Sequence, residues 1–503
     1  MQDVDLLTRR SISRYIKGPM YVMKFGGSSV ADSGRIDRVA SIVATVAEGV
    51  QSAASGAGAV GGAVGQRNAL PVVVLSALKG ATDELIQASR EATDGNAAYR
   101  SRIDELERRH RDVAMTLVED TSAVLEALEA RFQELRGILH GVELVRECTW
   151  RTADLITSFG ELLSCELFEA VLRSRGVRAT MVDPRSVILT DGNHGSARVN
   201  RPVTYERMRE RWLERDDVYV VPGFIAATAS GVTTTLGRNG SDYTASLIGA
   251  GLGAERVEIW TDVDGVLSAN PSSVPDAFVI DHMSFEEAAE LSYFGAEVLH
   301  PSSMLPVIEL DIPVVIRNTL NPEARGTRIS SEPSGSELVT GIASIDQVSI
   351  LNVEGAGMVG MPGVAARIFS AIARAGVNVL MISQASSEHT ICLVFRSPDI
   401  PAAVAELERE LAPELASREI EPFDIQENME IVAVIGEGMR GRFGVSGRLF
   451  DALGRAGISV HAIAQGSSER NISFVVAGED SKHTLGTVHS AFFRPSDSWN
   501  RSA

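Results

Sequence analysis

The sequence predicts an α/β region with a largely parallel sheet, followed by a small α+β module present twice. Three observations predict it. Short β-branched runs alternate with helical stretches from Tyr21 to about Arg328, the pattern of a parallel sheet with crossover helices. A stretch rich in Ser, Pro and Gly, Ser330 to Ser336, then breaks that pattern as linkers do. Beyond it the chain repeats itself at a constant offset of 81 residues.

Along the first region, Tyr21–Lys24, Val72–Leu75, Ala179–Val182, Val218–Val221, Val257–Trp260 and Pro313–Ile316 read as buried strands. Two segments interrupt the alternation. Gly49 to Gly65 is almost all Gly, Ala, Ser, Val and Gln and reads as a flexible surface loop. Arg100 to Leu144 is heavily charged, with Leu106, Val113, Leu117, Val124, Leu128 and Leu135 near helical spacing, and reads as a surface helical hairpin.

In the repeat, Gly357-Met358 recurs as Gly438-Met439, Gly363-Val364 as Gly444-Val445, and Arg374-Ala375-Gly376 as Arg455-Ala456-Gly457. Gln384 recurs as Gln465, and Ser386-Ser387-Glu388 as Ser467-Ser468-Glu469. Each copy reads strand, Gly-rich turn, amphipathic helix, strand, turn, strand. Gly436, Gly438 and Gly441 fit the dinucleotide fingerprint G-x-G-x-x-G. The following strand, Ser459–Ile463, runs into Ala464-Gln465-Gly466 with no acidic residue for a ribose, and the other copy lacks the spacing. A nicotinamide site is not expected.

The chain has 503 residues, enough for several domains, and a net charge of -19. That balance argues against nucleic acid or an anionic membrane as the main partner. Cys148, Cys165 and Cys392 show no Cys-x-x-Cys spacing and read as small core residues in a reducing compartment. Met1 to Met20 carries no apolar run, so no secretory signal is expected, and no uncharged stretch is long enough to span a bilayer. The expected location is the cytoplasm.

Neither a Walker A sequence nor a protein-kinase signature set occurs. A phosphate can instead be held by Lys24-Phe25-Gly26-Gly27-Ser28. There a strand delivers a lysine, two glycines let backbone N–H groups approach an anion, and a helix is expected to begin with its positive end facing the same place. A plain strand-to-helix turn after a lysine fits the same residues. A second constellation is Gly237-Arg238-Asn239-Gly240-Ser241-Asp242. Arg238 can grip a carboxylate with its fork, Ser241 and the helix start can bind an anion, and Asp242 can orient Lys24 or receive an ammonium. Alternatively Ser241 or Asp242 caps the helix. Glu161, in Ser158-Phe159-Gly160-Glu161, is expected at the start of a helix running to about Val171, where it either binds an ammonium or favours the helix N-terminus. Thr261 and Asp262 end a strand where open α/β sheets bind ligands.

KFGGSSV, SFGEL, LGRNGSDYTA, WTDVDGV and YFGAEVLHP occur here in the order found in aspartate kinases of the amino-acid kinase family. The duplicated module resembles their paired ACT domains. The likeness covers nearly the whole chain and is greatest to the kinase half of bifunctional aspartate kinase–homoserine dehydrogenases, without the dehydrogenase half. It implies a three-layer amino-acid kinase sandwich over 1–330 and ferredoxin-like ACT modules over 340–420 and 425–503. It implies that Lys24 stabilises the transferring phosphate with Asp242 as its partner. By the same resemblance Thr82, Glu161, Phe224, Arg238 and Ser241 surround L-aspartate. Lys24, Gly26, Gly27, Ser28, Thr261 and Asp262 meet ATP, whose Mg²⁺ rides on the phosphates rather than in a protein cage. Asn378, Gln384 and Gln465 fall where related enzymes bind an inhibitory amino acid, with threonine the first expectation and lysine the second. Pairing of ACT modules implies a homodimer or larger homo-oligomer. The chain departs from the family pattern at Glu297, where relatives often carry lysine near ATP, and at Leu267 and Ser272. The alternative reading is an amino-acid sensor with an impaired kinase domain.

Overall fold

The computed structural model describes residues 20–56, 70–212, 217–295, 299–333, 337–358, 362–384 and 389–493. Backbone proximity divides the chain into two units, Met1–Val266 with Leu299–Ser331, and Leu267–Val298 with Glu332–Ala503.

In the first unit the strands Ala179–Met181, Val218–Pro222, Val72–Leu75, Tyr21–Phe25, Arg256–Thr261, Val314–Asn318 and Thr327–Ser330 lie side by side in that order. Every neighbouring pair is parallel except the last. Each strand expected from the sequence is present, with ends shifted by a residue or two. These strands are legible because a sheet covered on both faces needs apolar side chains on both. Met23, Phe25, Val73, Leu75 and Trp260 point into a core shared with helices Ser33–Gly56, Ala81–Asp94, Ala98–Leu117, Ser122–Val145 and Trp150–Ser174. On the opposite face helix Gly240–Leu252 lies so close that a Cβ at Gly249 would stand 2.6 Å from Val257 Cγ2. Helices thus flank the sheet on both sides, giving the expected three layers.

Three local readings change. Helix Ser33–Gly56 runs through the first part of the Gly49–Gly65 stretch, because Ala and Val continue a helix already anchored by buried Ile36, Val39, Val43 and Ala47; residues 57–69 lie outside the described residues. The charged hairpin exists, as helices Ala98–Leu117 and Ser122–Val145, but Leu106, Val113, Val124, Leu128 and Leu135 belong to the main core rather than a surface layer. Of the three free cysteines only Cys165 is fully buried.

In the second unit the strands Met381–Gln384, Thr390–Arg396, Gly341–Glu354, Asp424–Ile435, Asn471–Ala477 and Ala462–Gln465 form one antiparallel sheet in that order. The two long central strands pair from Gly341↔Ile435 to Asn352↔Asp424, which sets the two modules side by side. The sequence offset reappears in the cores. Leu351, Val353, Ile368, Ile372 and Leu393 are buried in one module, and Val432, Val434, Leu449, Leu453 and Phe474 in the other. The antiparallel ladders exclude a βαβ dinucleotide unit at Gly436–Gly441. These glycines serve close packing instead: a Cβ on Gly438 would lie 2.1 Å from Glu337 O, and one on Gly436 would lie 2.6 Å from Leu338 O.

The observed grouping differs from a continuous 1–330 domain at one place. Leu267–Val298 falls in the second unit, where Ala269 and Val274 join the cluster of Val432, Val434 and Leu449. There the buried Glu287 accepts the Thr340 hydroxyl at 2.5 Å and the Glu437 N–H at 2.7 Å. Among the described residues no helix is long and apolar enough to cross a membrane.

Candidate active site

The carboxyl ends of the parallel strands open onto a cleft of about 390 Å³ in the first unit. Lys24 reaches it from the fourth position of strand Tyr21–Phe25, on the face covered by helix Gly240–Leu252. Its Nζ lies 2.6 Å from Asp242 Oδ1, an ion pair by distance although without the angles of a hydrogen bond. An ammonium has three N–H donors, so the pairing with Asp242 leaves donors free for an anion in the cleft.

Two glycines follow the lysine. A Cβ on Gly26 would stand 3.4 Å from Lys24 Nζ, and one on Gly27 would stand 3.3 Å from Ala77 O. The turn closes through Ser29 N–H to Gly26 O at 2.9 Å. The helix expected directly after the glycines begins only at Ser33, and its first-turn Arg35 N–H is already taken by the Asp32 side chain at 2.9 Å. The positive helix end facing the cleft is that of Gly240–Leu252. Its cap is Asn239, in the left-handed region at φ 58° and with no side-chain cap bond, so neither Ser241 nor Asp242 is the cap. Both sit in the first turn, where the helix dipole favours negative charge.

Glu161 comes from the opposite wall. It sits in the middle of helix Trp150–Ser174, which begins eleven residues before it at a Thr149 cap, so favouring a helix N-terminus is not its role. Gly160 lets the helix approach: a Cβ there would be 2.9 Å from Ala77 Cβ. Glu161 is 4% exposed, and its Oε2 is sealed from solvent with no hydrogen-bond partner. Burial pushes its pKa up to about 8, against the smaller opposing pull of backbone N–H groups of Glu161 itself and Ala77. A buried carboxyl with one unanswered oxygen is suited to receive an ammonium. Phe224 lines the cleft at φ 67°, a strained value for an aromatic residue, held by its N–H to Thr244 Oγ1 at 3.0 Å.

The cleft thus gathers Lys24, Gly27, Ser28, Thr82, Glu161, Phe224, Ser241 and Asp242. Gly26, Arg238, Thr261 and Asp262 are not in its lining. Arg238 is exposed between Gly237 and Asn239, which do line it. Thr261 and Asp262 end the neighbouring strand, where Lys24 is level with Ile259 and Phe25 with Trp260. Glu297 lies outside the described residues. Sequence reasoning missed Lys79, which lines the cleft with Ser76 and Asp83. The available signal was Lys79-Gly80 in the turn after strand Val72–Leu75, which pairs with the Lys24 strand. A larger cavity, about 760 Å³, is lined by Glu166, Arg131, Arg173 and others but by none of the expected site residues. Among the described residues no group of three or more His, Cys, Asp or Glu is arranged to hold a metal ion.

In the second unit Asn378, Gln384 and Gln465 are all exposed. Ser383 Oγ donates to Ile463 O at 2.8 Å, so the strands ending in Gln384 and Gln465 lie against one another.

Comparison with known proteins agrees with this arrangement. The amino acid kinase family matches residues 19–318, and an ACT domain matches twice, over 351–411 and 432–492. The chain is 36% identical over 500 residues to the bifunctional aspartokinase/homoserine dehydrogenase 1, chloroplastic, of Zea mays, covering 97% of this chain and 52% of that protein. It is 34% identical over 491 residues to aspartokinase 1, chloroplastic, of Arabidopsis thaliana, covering 96% of this chain and 81% of that one. The chain spans about half the length of the bifunctional relatives it matches. Crystal structures of E. coli aspartokinase III, with aspartate and ADP (R-state) and with lysine and aspartate (T-state), superpose with TM-scores of 0.73 and 0.76 at 29% and 30% identity; the match covers 94% of this chain and 100% and 99% of theirs. The chain belongs to the amino acid kinase family, with a pair of ACT domains after the kinase fold, as in the aspartokinases.

Proposed function

We propose that the chain transfers the γ-phosphoryl group of ATP to the β-carboxylate of L-aspartate, giving 4-phospho-L-aspartate and ADP, the first step towards lysine, threonine and methionine. The observation that carries this reading is the pairing, in one cleft, of an ammonium donor for phosphate with a buried carboxyl that lacks a partner: Lys24 beside Asp242, and Glu161 across from them. A carboxylate oxygen attacks the γ-phosphorus while the bond from phosphorus to the β,γ-bridging oxygen breaks. The attacking group is ionised at pH 7, since an ordinary Asp pKa is about 3.9, so no general base is needed. What the protein must supply is position and relief of repulsion between two anions. Lys24, the Gly27 amide and the first turn of helix Gly240–Leu252 provide positive charge at the phosphates, whose Mg²⁺ arrives with ATP; the Gly26 N–H, expected beside them, is directed to Trp260 O at 3.5 Å. Glu161 takes the α-ammonium, Arg238 takes the α-carboxylate from between Gly237 and Asn239, which line the cleft, and Thr82, Phe224 and Ser241 complete the aspartate site. Thr261 and Asp262 contact the nucleotide.

The adjoining strand ends with Gln384 and Gln465 support a feedback site for an amino acid, threonine before lysine, with Asn378 nearby in the chain. Such a ligand shifts activity only by binding one arrangement of the modules better than another. Joining of modules between chains gives a homodimer or larger assembly, and the free thiols suit the cytoplasm. ATP turnover with L-aspartate in the presence of hydroxylamine, which traps an acyl phosphate, tests the activity; absence of aspartyl hydroxamate refutes it and leaves the amino-acid sensor. Titrating threonine and lysine into the same assay tests the regulation, and indifference to both refutes it.

A further inference from the structure

We propose that Asp154 is a positioning residue for this reaction: it fastens the helix bearing Glu161 to the loop bearing Arg238, and so sets the span between the groups that hold the two ends of the amino acid. The inference rests on the reading of the cleft as an aspartate site. Asp154 and Glu161 share helix Trp150–Ser174 and are seven residues apart, so they lie on one face about 10 Å apart along the axis. Asp154 is only 3% exposed, and both its oxygens are used. Thr235 Oγ1 donates to Oδ1 at 2.6 Å, His194 Nδ1 donates to Oδ2 at 2.6 Å, and the Gly195 N–H points between them at 3.1 and 3.2 Å.

These partners lead to Arg238. Thr235 ends strand Thr233–Thr235, three residues before it. Thr235 O also accepts the Ala197 N–H at 2.9 Å, which closes the loop of His194 and Gly195 onto that strand. The same loop backs the residue next to Arg238: a Cβ on Gly237 would meet Gly195 O and Ser196 Cβ, each at 3.3 Å. Gly237 and Gly195 have φ 76° and 86°, values that fix both turns and suit glycine. One buried carboxylate thus joins the Glu161 helix, the strand that leads to Arg238 and the loop bracing them. None of its partners lines the cleft, so Asp154 acts through geometry rather than contact.

A span fixed this way governs binding of the amino acid and not of ATP, and that separates positioning from general loss of structure. The test uses the full chain with Asp154→Ala and His194→Ala. His194 has an 18% exposed side chain against 4% for Asp154, so its removal disturbs the packing less than removal of the buried acid. The expected result is a KM for L-aspartate raised about tenfold or more in either variant, since displacement of a binding group by 1 Å costs up to about a hundredfold, with the KM for ATP within about twofold of the parent. His194→Gln, which keeps an N–H donor near Oδ2, restores much of the loss. Amide hydrogen exchange is faster at residues 192–197 and 236–239 and unchanged on strand Tyr21–Phe25. Unchanged exchange in those loops, an unaltered aspartate KM, or equal movement of both KM values overturns the proposal. A parent chain that forms no aspartyl hydroxamate overturns the aspartate reading instead, while the exchange measurement still decides whether Asp154 holds the loops.

Discussion

Replacing Glu161 with Gln tests the core of the site, because the burial that suits the residue to its proposed ligand also burdens the fold. Its pKa is near 8 in the folded chain against an ordinary 4.5. Between those values the folded state binds more protons than the unfolded state, so stability falls as pH rises through the window. At pH 7 the wild-type chain bears roughly 3 kcal/mol from this one group, at about 1.4 kcal/mol per pH unit. Glu161→Gln keeps the shape and an acceptor for Ala77 but removes the titration. Denaturant unfolding should find the variant more stable than the parent by about that amount at pH 7, with the gap closing near pH 4.5. Function should move the other way, because the amide cannot ionise against an ammonium. The same reasoning predicts proton release: aspartate binding at pH 7 pulls Glu161 into its charged form and frees about 0.9 proton. Calorimetric titration of L-aspartate in two buffers of different ionisation heat measures that number. Binding without proton release, or a Glu161→Gln variant that binds aspartate as the parent does, refutes the reasoning.

Other consequences are simpler to read. Lys24→Ala should lower kcat about 10²- to 10³-fold with a smaller change in the KM for aspartate, as loss of one positioned cation does; wild-type turnover would remove its role. Gly160→Ala places a Cβ 2.9 Å from that of Ala77, so the helix must back away; a stability loss of roughly 1–3 kcal/mol and weaker aspartate binding are expected, and unchanged values for both would refute the packing argument. His110 is buried, gives Nδ1 to Leu106 O at 2.8 Å, and has its pKa lowered to about 4 by desolvation. The unfolded chain therefore binds a proton below pH 6.5 that the fold refuses, and stability present above 6.5 is lost as pH falls towards 4, by roughly 3 kcal/mol. His110→Leu should flatten that acid limb, and an unaltered limb would show that His110 does not set it.

How much was legible in the sequence depends on range. The parallel strands could be read because burial on both faces forces unbroken β-branched runs such as Val72–Leu75. The duplicated module could be read because its cores need the same apolar positions twice, Leu351 and Val353 against Val432 and Val434. Lys24 and Asp242 meet at 2.6 Å across 218 residues of chain; residue chemistry offered the pairing as one of two roles for Asp242, and the family resemblance selected it. The misread element in the site is a helix start. Thr149 caps a helix that reads as if it began near Ser158, because Trp150, Arg151 and Thr152 show no apolar period. Leu267–Val298 reads as part of the kinase region, and the family match over 19–318 includes it, while its backbone groups with the second unit because Ala269 and Val274 find their partners far along the chain. Asp154 and Lys79 are single polar residues in ordinary helical and loop settings, and they acquire meaning only when the chain closes around them.

The charge arrangement of the cleft suits the proposed reaction, in which a chain of net charge -19 brings two anions together. Asp242 is offset by Lys24, and Glu161 is kept neutral by burial, so neither adds a full negative field to the path of the triphosphate. Ionisation of Glu161 waits for a cation, and the proposed substrate brings its own. A dicarboxylic acid without the amino group, such as succinate, offers the same attacking oxygen but leaves Glu161 Oε2 buried and unanswered. Discrimination then comes from a polar group the wrong ligand fails to satisfy, which is worth far more than a missing apolar contact and reaches about 10⁴-fold in sites of this kind. In the proposed site, the same burial that weakens the fold near neutral pH thus predicts selection of an amino acid over its deaminated analogue.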